Sequence, residues 1–337
     1  MNVEQLRRIF PDEASCRVFF ESVIWPDGPV CPHCRSQKVW RLTSASVRVG
    51  LLECGACHRQ FTVTTRTPFH STKLSLWTWV QAMYSLVCSS KGASSVAMST
   101  WIGVSQKTAW KMLHALRTLM AAHQNLLPML EGIVEVDEKY LGGKPRFQHG
   151  VKHKRGHGTT KACIATAVER QGAVKAHMIA NNSVTELQPF VESVVAPSAH
   201  LMSDEHTAYR VIGRAFAAHD SVKHGRKEFA RGGVHSNTAE SFHATLERAK
   251  QGVYHYMSPE HLPLYTAEAA FHWNQRRPET RVIRRGKNQG RIKTFMTRLP
   301  ILEQFKALLK LAPCCQLRRT KNSGIRIVPM PLPLFGL

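Results

Sequence analysis

A chain of 337 residues, 43% hydrophobic and 20% charged, is globular in composition and long enough for one sizeable domain with one or two small ones. The 46 Lys and Arg against 23 Asp and Glu leave a formal charge of +23, which points to a polyanionic partner, with nucleic acid foremost. No apolar run approaches twenty residues, no basic helix carries a large apolar face, and charges begin near the start; no membrane role and no secretory leader are expected, and the cytoplasm is the expected location.

Residues 1–70 hold two close cysteine pairs, Cys31-Pro32-His33-Cys34 and Cys54-Gly55-Ala56-Cys57, with nineteen residues between them. Two thiolates presented from each tight turn close a tetrahedral Zn²⁺ site with no open position, so a structural zinc ribbon is expected. Val39-Trp40-Arg41-Leu42 and Val47-Arg48-Val49 can supply its short strands, while His33 and His58 adjoin the ligands but are surplus to four thiolates. The other five of the nine cysteines, Cys16, Cys88, Cys163, Cys314 and Cys315, show no ligand spacing and read as buried small apolar residues.

Residues 71–127 read as all helix. From Ala93 a short helix runs to about Trp101, a turn follows at Ile102-Gly103-Val104, Ser105 is placed to cap, and a second helix begins at Gln106. On that helix Ala109, Met112, Leu113 and Leu116 form an apolar stripe, and Gln106, Lys107, Trp110, Lys111, His114 and Arg117 form a polar, basic face opposite. A helix-turn-helix needs this division, because one face anchors the recognition helix while the other offers donors to bases and phosphates. An ordinary amphipathic helix with a solvated basic face would show the same pattern.

Asn125-Leu126-Leu127-Pro128 reads as a hinge into a third segment, residues 128–300, where strand and helix patterns alternate. Ile133 to Tyr140 has a period of two, which sets Glu135 and Asp137 on one face and Val134 and Val136 on the other. Strands over Ala162–Val168 and Val174–Ile179, a helix from about Ser183 to Val194, and a strand His200–Ser203 ending at Asp204 follow. A helix over Thr238–Arg248 carries Glu240. This is the element order of a ribonuclease-H-like α/β fold, in which Asp137, Asp204 and Glu240 would meet at one sheet edge. Carboxylate oxygens suit hard Mg²⁺ or Mn²⁺, and two such ions clamp the attacking and leaving oxygens of an in-line phosphoryl displacement.

The chain resembles the bacterial insertion-sequence transposases of the zinc-ribbon DDE kind, the ISXO-type group. Its matching pieces are Trp25-Pro26-Asp27-Gly28, Gly103 to Trp110, Val136-Asp137-Glu138-Lys139-Tyr140-Leu141-Gly142-Gly143-Lys144, Ser203-Asp204-Glu205-His206, His235 to Phe242, Gly252-Val253-Tyr254-His255 and Phe271 to Arg277. The resemblance spans roughly residues 15–280, and thirty-five residues lie between Asp204 and Glu240, a spacing similar to that of many DDE recombinases. It implies nicking of transposon ends by water, attack of the freed 3′-hydroxyl on target DNA, terminal inverted repeats and target DNA as partners, and a homodimer or larger assembly. Where relatives carry Lys or Arg seven residues beyond the acid of the third block, this chain has Glu247, with Arg248 next. Some relatives use the Asn of that block, here Asn237, as third catalytic position; it shares a helix face with Glu240, and both stay open, with charge balance favouring Glu240 and a capping task left to Asn237.

The stretch from Lys144 to Lys161, with Lys152, Lys154 and Arg155 at its centre, has six Lys or Arg and no acid, and Arg281 to Arg298 has seven and no acid. Both read as DNA-backbone contacts or as solvated segments. Residues 301–337 form a C-terminal extension whose Pro329-Met330-Pro331-Leu332-Pro333 cannot be helical. A transcription regulator of ribbon and helix-turn-helix, a nuclease that cleaves without joining, and an inactive transposase copy remain as other readings.

Overall fold

The computed structural model describes residues 1–143, 149, 150, 161–223, 225, 228, 230–319 and 325–329. The chain divides into two compact units, one of residues 1–89, 93–125 and 300–337, the other of 90–92 and 126–299. The ribbon and helical segments thus share a unit, and the C-terminal extension rejoins it.

In the first unit, helices α1 (Val3–Ile9) and α2 (Glu13–Ile24) lead into a three-stranded antiparallel ribbon, β1 (Val39–Arg41), β2 (Leu52–Cys54) and β3 (Gln60–Phe61), in the order β1-β2-β3. The second strand lies at Leu52–Cys54 rather than at Val47–Val49, because Val47 and Leu51 close turns onto Ser44 and Arg48. Helices α3 (Leu76–Cys88), α4 (Ser95–Ile102) and α5 (Gln106–Leu126) follow. Gly103, at φ +69°, takes the left-handed conformation that ends α4, and the Ser105 hydroxyl accepts from Thr108 N at 3.2 Å to start α5.

The second unit is a mixed five-stranded sheet. Strand β4 (Ile133–Leu141) is central; β5 (Ala162–Glu169) pairs antiparallel with it on one side, and β6 (Val174–Ile179) pairs antiparallel with β5 at that edge. After α6 (Val184–Val194), strand β7 (His200–Ser203) pairs parallel on the other side of β4, and after α7 (Thr207–Ile212), β8 (Ala218–Ser221) adds a parallel edge, giving the order β6-β5-β4-β7-β8. Val134 and Val136 face a core with Leu187, Val191 and Tyr209 of α6 and α7. The opposite face, through Ile164, Val168 and Val174, packs on α8 (Asn237–Ala249) and α9 (Leu262–Asn274). Period two in β4 therefore sends Glu135 and Asp137 toward α8. Strands β9 (Arg276–Val282) and β10 (Ile292–Arg298) form a hairpin that, among the described residues, pairs with no other strand.

The chain then returns to the first unit as α10 (Ile301–Leu309), packed on α2 and α3, and as the hairpin β11 (Cys315–Arg319) and β12 (Ile325–Pro329). No helix among the described residues is long and apolar enough to cross a membrane. Of the five cysteines without ligand spacing, Cys16, Cys163 and Cys315 are buried and Cys314 half-buried, whereas Cys88 is exposed at the end of α3.

Candidate functional site

The two cysteine knuckles fold alike. The residue after each pair, Arg35 at φ +64° and His58 at φ +54°, takes the left-handed conformation, and its N–H closes the turn onto the carbonyl of Cys31 or Cys54. His33 N and Ala56 N donate to the Cys31 and Cys54 sulfurs at 3.4 Å each. The ligand atoms of Cys31, Cys34, Cys54 and Cys57 all lie within 4.8 Å of one another, with Sγ separations of 3.7 Å for Cys31 and Cys57 and 3.4 Å for Cys34 and Cys54. A tetrahedron of sulfurs about 2.3 Å from zinc has edges of about 3.8 Å, so the donor set fits Zn²⁺. Burial pushes the Cys54 thiol up, yet the Cys57 and Ala56 N–H donors and the neighbouring thiols outweigh it and bring it down to about 6. Trp25, edge-on to Phe61, and Leu52 seal the cluster.

In the second unit, Asp137 sits on β4 opposite Thr166 of β5, and Asp204 directly follows β7, the parallel neighbour of β4. Asp137 and Glu240, which lies in the first turn of α8, line one open cleft together with Glu138, Lys139, His243 and Glu247. His243 Nδ1 is 3.3 Å from Asp137 Oδ2, and its Nε2 is 3.0 Å from Thr166 Oγ1. Asp204 Oδ1 accepts from His206 N at 2.9 Å; burial, then the Glu138 and Asp137 carboxylates, raise its acid above the ordinary range. Glu138 accepts from the Tyr209 hydroxyl at 2.8 Å and the Asn182 amide at 3.0 Å.

Among the described residues only the four cysteines bring three or more such ligand atoms within 4.8 Å of one another. Asp137 and Glu240 share the cleft, whereas Asp204 is not among the residues that line it, and the three do not form one closed shell. Asp137 is the member common to both pairings, with Asp204 through their mutual repulsion and with Glu240 through the cleft.

Glu135 is the residue local patterns miss. Its fully buried carboxylate accepts from Thr238 N at 2.6 Å, Thr238 Oγ1 at 2.9 Å and Ala239 N at 3.1 Å, and from Arg170 Nε at 2.7 Å. Arg170 also donates to the carbonyls of Gly233 and His235, at 2.7 and 3.0 Å, strapping the approach to α8. Glu135 thus caps from a distance the helix that carries Glu240, on the strand that carries Asp137. The N-cap position of α8 is Ser236, without a side-chain bond, and Asn237 is exposed as the first helical residue. Asn237 is accordingly not the cap the sequence suggested, because Glu135 already serves the first free N–H groups.

On α5 the apolar residues Ala109, Met112, Leu113 and Leu116 are buried as their spacing predicts. Gln106 and Lys107 are exposed, and Trp110 and Lys111 are half-buried. His114 and Arg117 depart from the expected basic face. Both are buried: the His114 ring lies 4.2 Å from that of Trp110, and Arg117 donates to the Ala93 carbonyl at 3.4 Å. The helix is enclosed from Met112 to Met120, so of the expected basic face only Gln106, Lys107, Trp110 and Lys111 reach outward. Lys152, Lys154 and Arg155 lie outside the described residues.

Residues 129–274 match the family model of the ISXO2-like transposase domain, and residues 11–60 match that of the transposase zinc-ribbon domain. An uncharacterized protein in transposable element ISH50 of Halobacterium salinarum is 30% identical over 272 residues, which are 77% of this chain and 90% of that protein. A chain of the simian T-cell lymphotropic virus intasome in complex with PP2A regulatory subunit B56 gamma is 13% identical. That match has a TM-score of 0.27 over 57% of this chain and 61% of that one, too slight a likeness to carry an argument.

Proposed function

Because the chain belongs to the ISXO2-like transposase family, we propose that it cuts the ends of its own mobile element and joins the freed 3′-hydroxyls to target DNA. The carrying observation is the placement of three acids around β4: Asp137 on the central strand, Asp204 at the end of the parallel neighbour, and Glu240 opening α8 into Asp137's cleft. The order β6-β5-β4-β7-β8, in which β5 alone runs opposite to the other four strands, supports a ribonuclease-H-like reading of this unit.

Asp137, Asp204 and Glu240 would hold divalent ions, Mg²⁺ or Mn²⁺. Bound there, a pair of such ions would supply Lewis acidity to the attacking and leaving oxygens. The protein's own part is to hold the carboxylates: Glu135 fixes the start of α8 against β4, and His243 braces the Asp137 side chain. Glu240 is preferred to Asn237 as third ligand because it lines the cleft and brings charge. The four-cysteine ribbon would hold zinc. Helices α4 and α5 form the helix-turn-helix, with Gln106, Lys107, Trp110 and Lys111 toward the terminal repeats. The active form is a dimer or larger assembly on paired ends, acting in the cytoplasm.

The test is incubation of the full chain and Mg²⁺ with labelled duplex bearing the element's ends and a supercoiled plasmid. Joined products are expected. Nicks without joining would make the chain a nuclease, and neither product would make it a DNA-binding regulator or an inactive copy.

A further inference from the structure

The hairpin β9–β10 has an unusual charge arrangement. Residues 276–298 contain nine Lys or Arg and one acid, so +8 of the chain's +23 lies in this one element. Directly opposed residues share a face, which sorts the ribbon into two. One face carries Pro278 with Met296, Thr280 with Thr294 and Val282 with Ile292; the other carries Arg277 with Thr297, Glu279 with Phe295 and Arg281 with Lys293. The last is a like-charge pair directly across the strands, a destabilising arrangement in isolation. Glu279 offsets part of it: the Arg281 guanidinium donates to it at 2.9 and 2.6 Å and holds its acid down at about 2.

The tip adds Arg284, Arg285, Lys287 and Arg291, all exposed and with no acid from Val282 to Arg298. It is nonetheless ordered. Gly286 and Gly290 take φ +87° and +85°, and Ile283 N donates to Arg291 O at 2.9 Å while Gly290 N donates to Ile283 O at 2.8 Å. The base is anchored by Leu299 N on Gln275 O at 2.9 Å and by Arg276, stacked 3.8 Å from the Trp273 ring. A two-stranded hairpin with no third strand is marginal in water. This one carries the cations of its tip, Arg284, Arg285, Lys287 and Arg291, with no acid from Val282 to Arg298, and a polyanion would complete them.

We propose that β9–β10 is an arm that lies in the major groove of duplex DNA, its tip cations on the flanking phosphates. This rests on the reading of DNA as substrate and adds where the protein grips it. Seven residues at about 3.3 Å each give a ribbon of about 23 Å, and the groove, about 12 Å wide, admits a two-stranded ribbon. Electrostatic complementarity selects DNA over a second copy of this basic chain.

The experiment uses the full chain and a labelled linear duplex without divalent metal, with affinity measured across salt concentrations and guanine N7 methylation by dimethyl sulfate mapped alongside. The variant Arg284→Ser/Arg285→Ser/Lys287→Ser/Arg291→Ser should lower the slope of log affinity on log salt by about 3.6, at about 0.9 per phosphate contact. It should also lose the N7 protection that wild type shows, since N7 lies in the major groove. Arg281→Ser/Lys293→Ser, in the ladder rather than the tip, should weaken the same protection. An unchanged slope or unchanged protection in the tip variant overturns the arm while leaving the cutting site untouched. So does a tip variant that alters oligomeric state without DNA and binds duplex as wild type does. Wild type that ignores duplex overturns the arm and the functional reading together.

Discussion

Replacing Glu135 by Ala asks how firmly one buried carboxylate ties the strand of Asp137 to the helix of Glu240. The side chain is fully buried and receives two backbone amides and a hydroxyl from the start of α8, plus the Arg170 guanidinium. Removing one partner of a buried ion pair costs about 3–5 kcal/mol, and each orphaned amide about 1–3 kcal/mol. These penalties overlap, and Arg170 is 20% exposed with two carbonyl acceptors left, so it can recover some hydration. About 4 kcal/mol is therefore expected for Glu135→Ala. Glu135→Gln, which keeps one acceptor oxygen but turns an amide group toward donors, should cost about 2 kcal/mol. At about 1.4 kcal/mol per decade, the Ala variant should speed exchange of the α8 amides nearly a thousandfold. Hydrogen–deuterium exchange on peptides from Ser236 to Ala249 reads this directly, with α5, in the other unit, as internal reference. Cleavage should fall in the same order, Ala below Gln below wild type. Exchange of α8 within twofold of wild type in the Ala variant would refute the clamp.

Three further expectations follow from other parts of the chain. Cys34→Ser and Cys57→Ser should each lose bound zinc, since metal binding supplies most of a small ribbon's folding energy; elemental analysis showing full zinc in both would count against the four-thiolate site. Lys107→Ala should lower affinity for element ends with the fold intact, while Arg117→Ala, at a residue 1% exposed, should lower the melting temperature of the first unit; equal melting temperatures in the two variants would return Arg117 to the DNA face. His272 is held neutral by burial and then by Arg298, its value depressed from 6.5 to about 3. With the folded value below the unfolded one, its contribution is present above pH 6.5 and is lost as pH falls from 6.5 toward 3, by at most about 1.4 kcal/mol per pH unit. His272→Gln should therefore lose less stability between pH 7 and pH 5 in denaturant titrations, and an identical loss would contradict the assignment.

Local chemistry was legible where it is dense. Strict alternation in Ile133–Tyr140 sets the faces of β4, and Gly103 with Ser105 marks the turn between α4 and α5, so both read correctly from neighbours along the chain. The cysteine spacing reads equally well, since both knuckles are closed by bonds four residues long. What failed depends on distance. The partners of Glu135 lie 103 and 104 residues away, so no window shows that Asn237 is spared capping. The burial of His114 and Arg117 likewise depends on what encloses α5, for instance the Ala93 carbonyl, and not on the helix's own pattern. Strand β8, Ala218-His219-Asp220-Ser221, has no apolar alternation because it is a short, half-exposed edge whose place is set by β7. The hairpin β9–β10 showed itself only as charge, since Pro278 and its exposed cations mask the strand period.

Cutting of DNA should depend on the acids around β4. The most direct measurement is cleavage of end-labelled terminal duplex in Mg²⁺ by Asp137→Asn and Asp204→Asn, with affinity for the same duplex measured beside it. Neither variant should yield cut product, and both should bind within a few fold of wild type. In the same assay Glu240→Gln should be inactive and Asn237→Ser should retain much of the activity. Wild-type cleavage rates in Asp137→Asn or Asp204→Asn would contradict the site outright, and an active Glu240→Gln with an inactive Asn237→Ser would move the third ligand to Asn237.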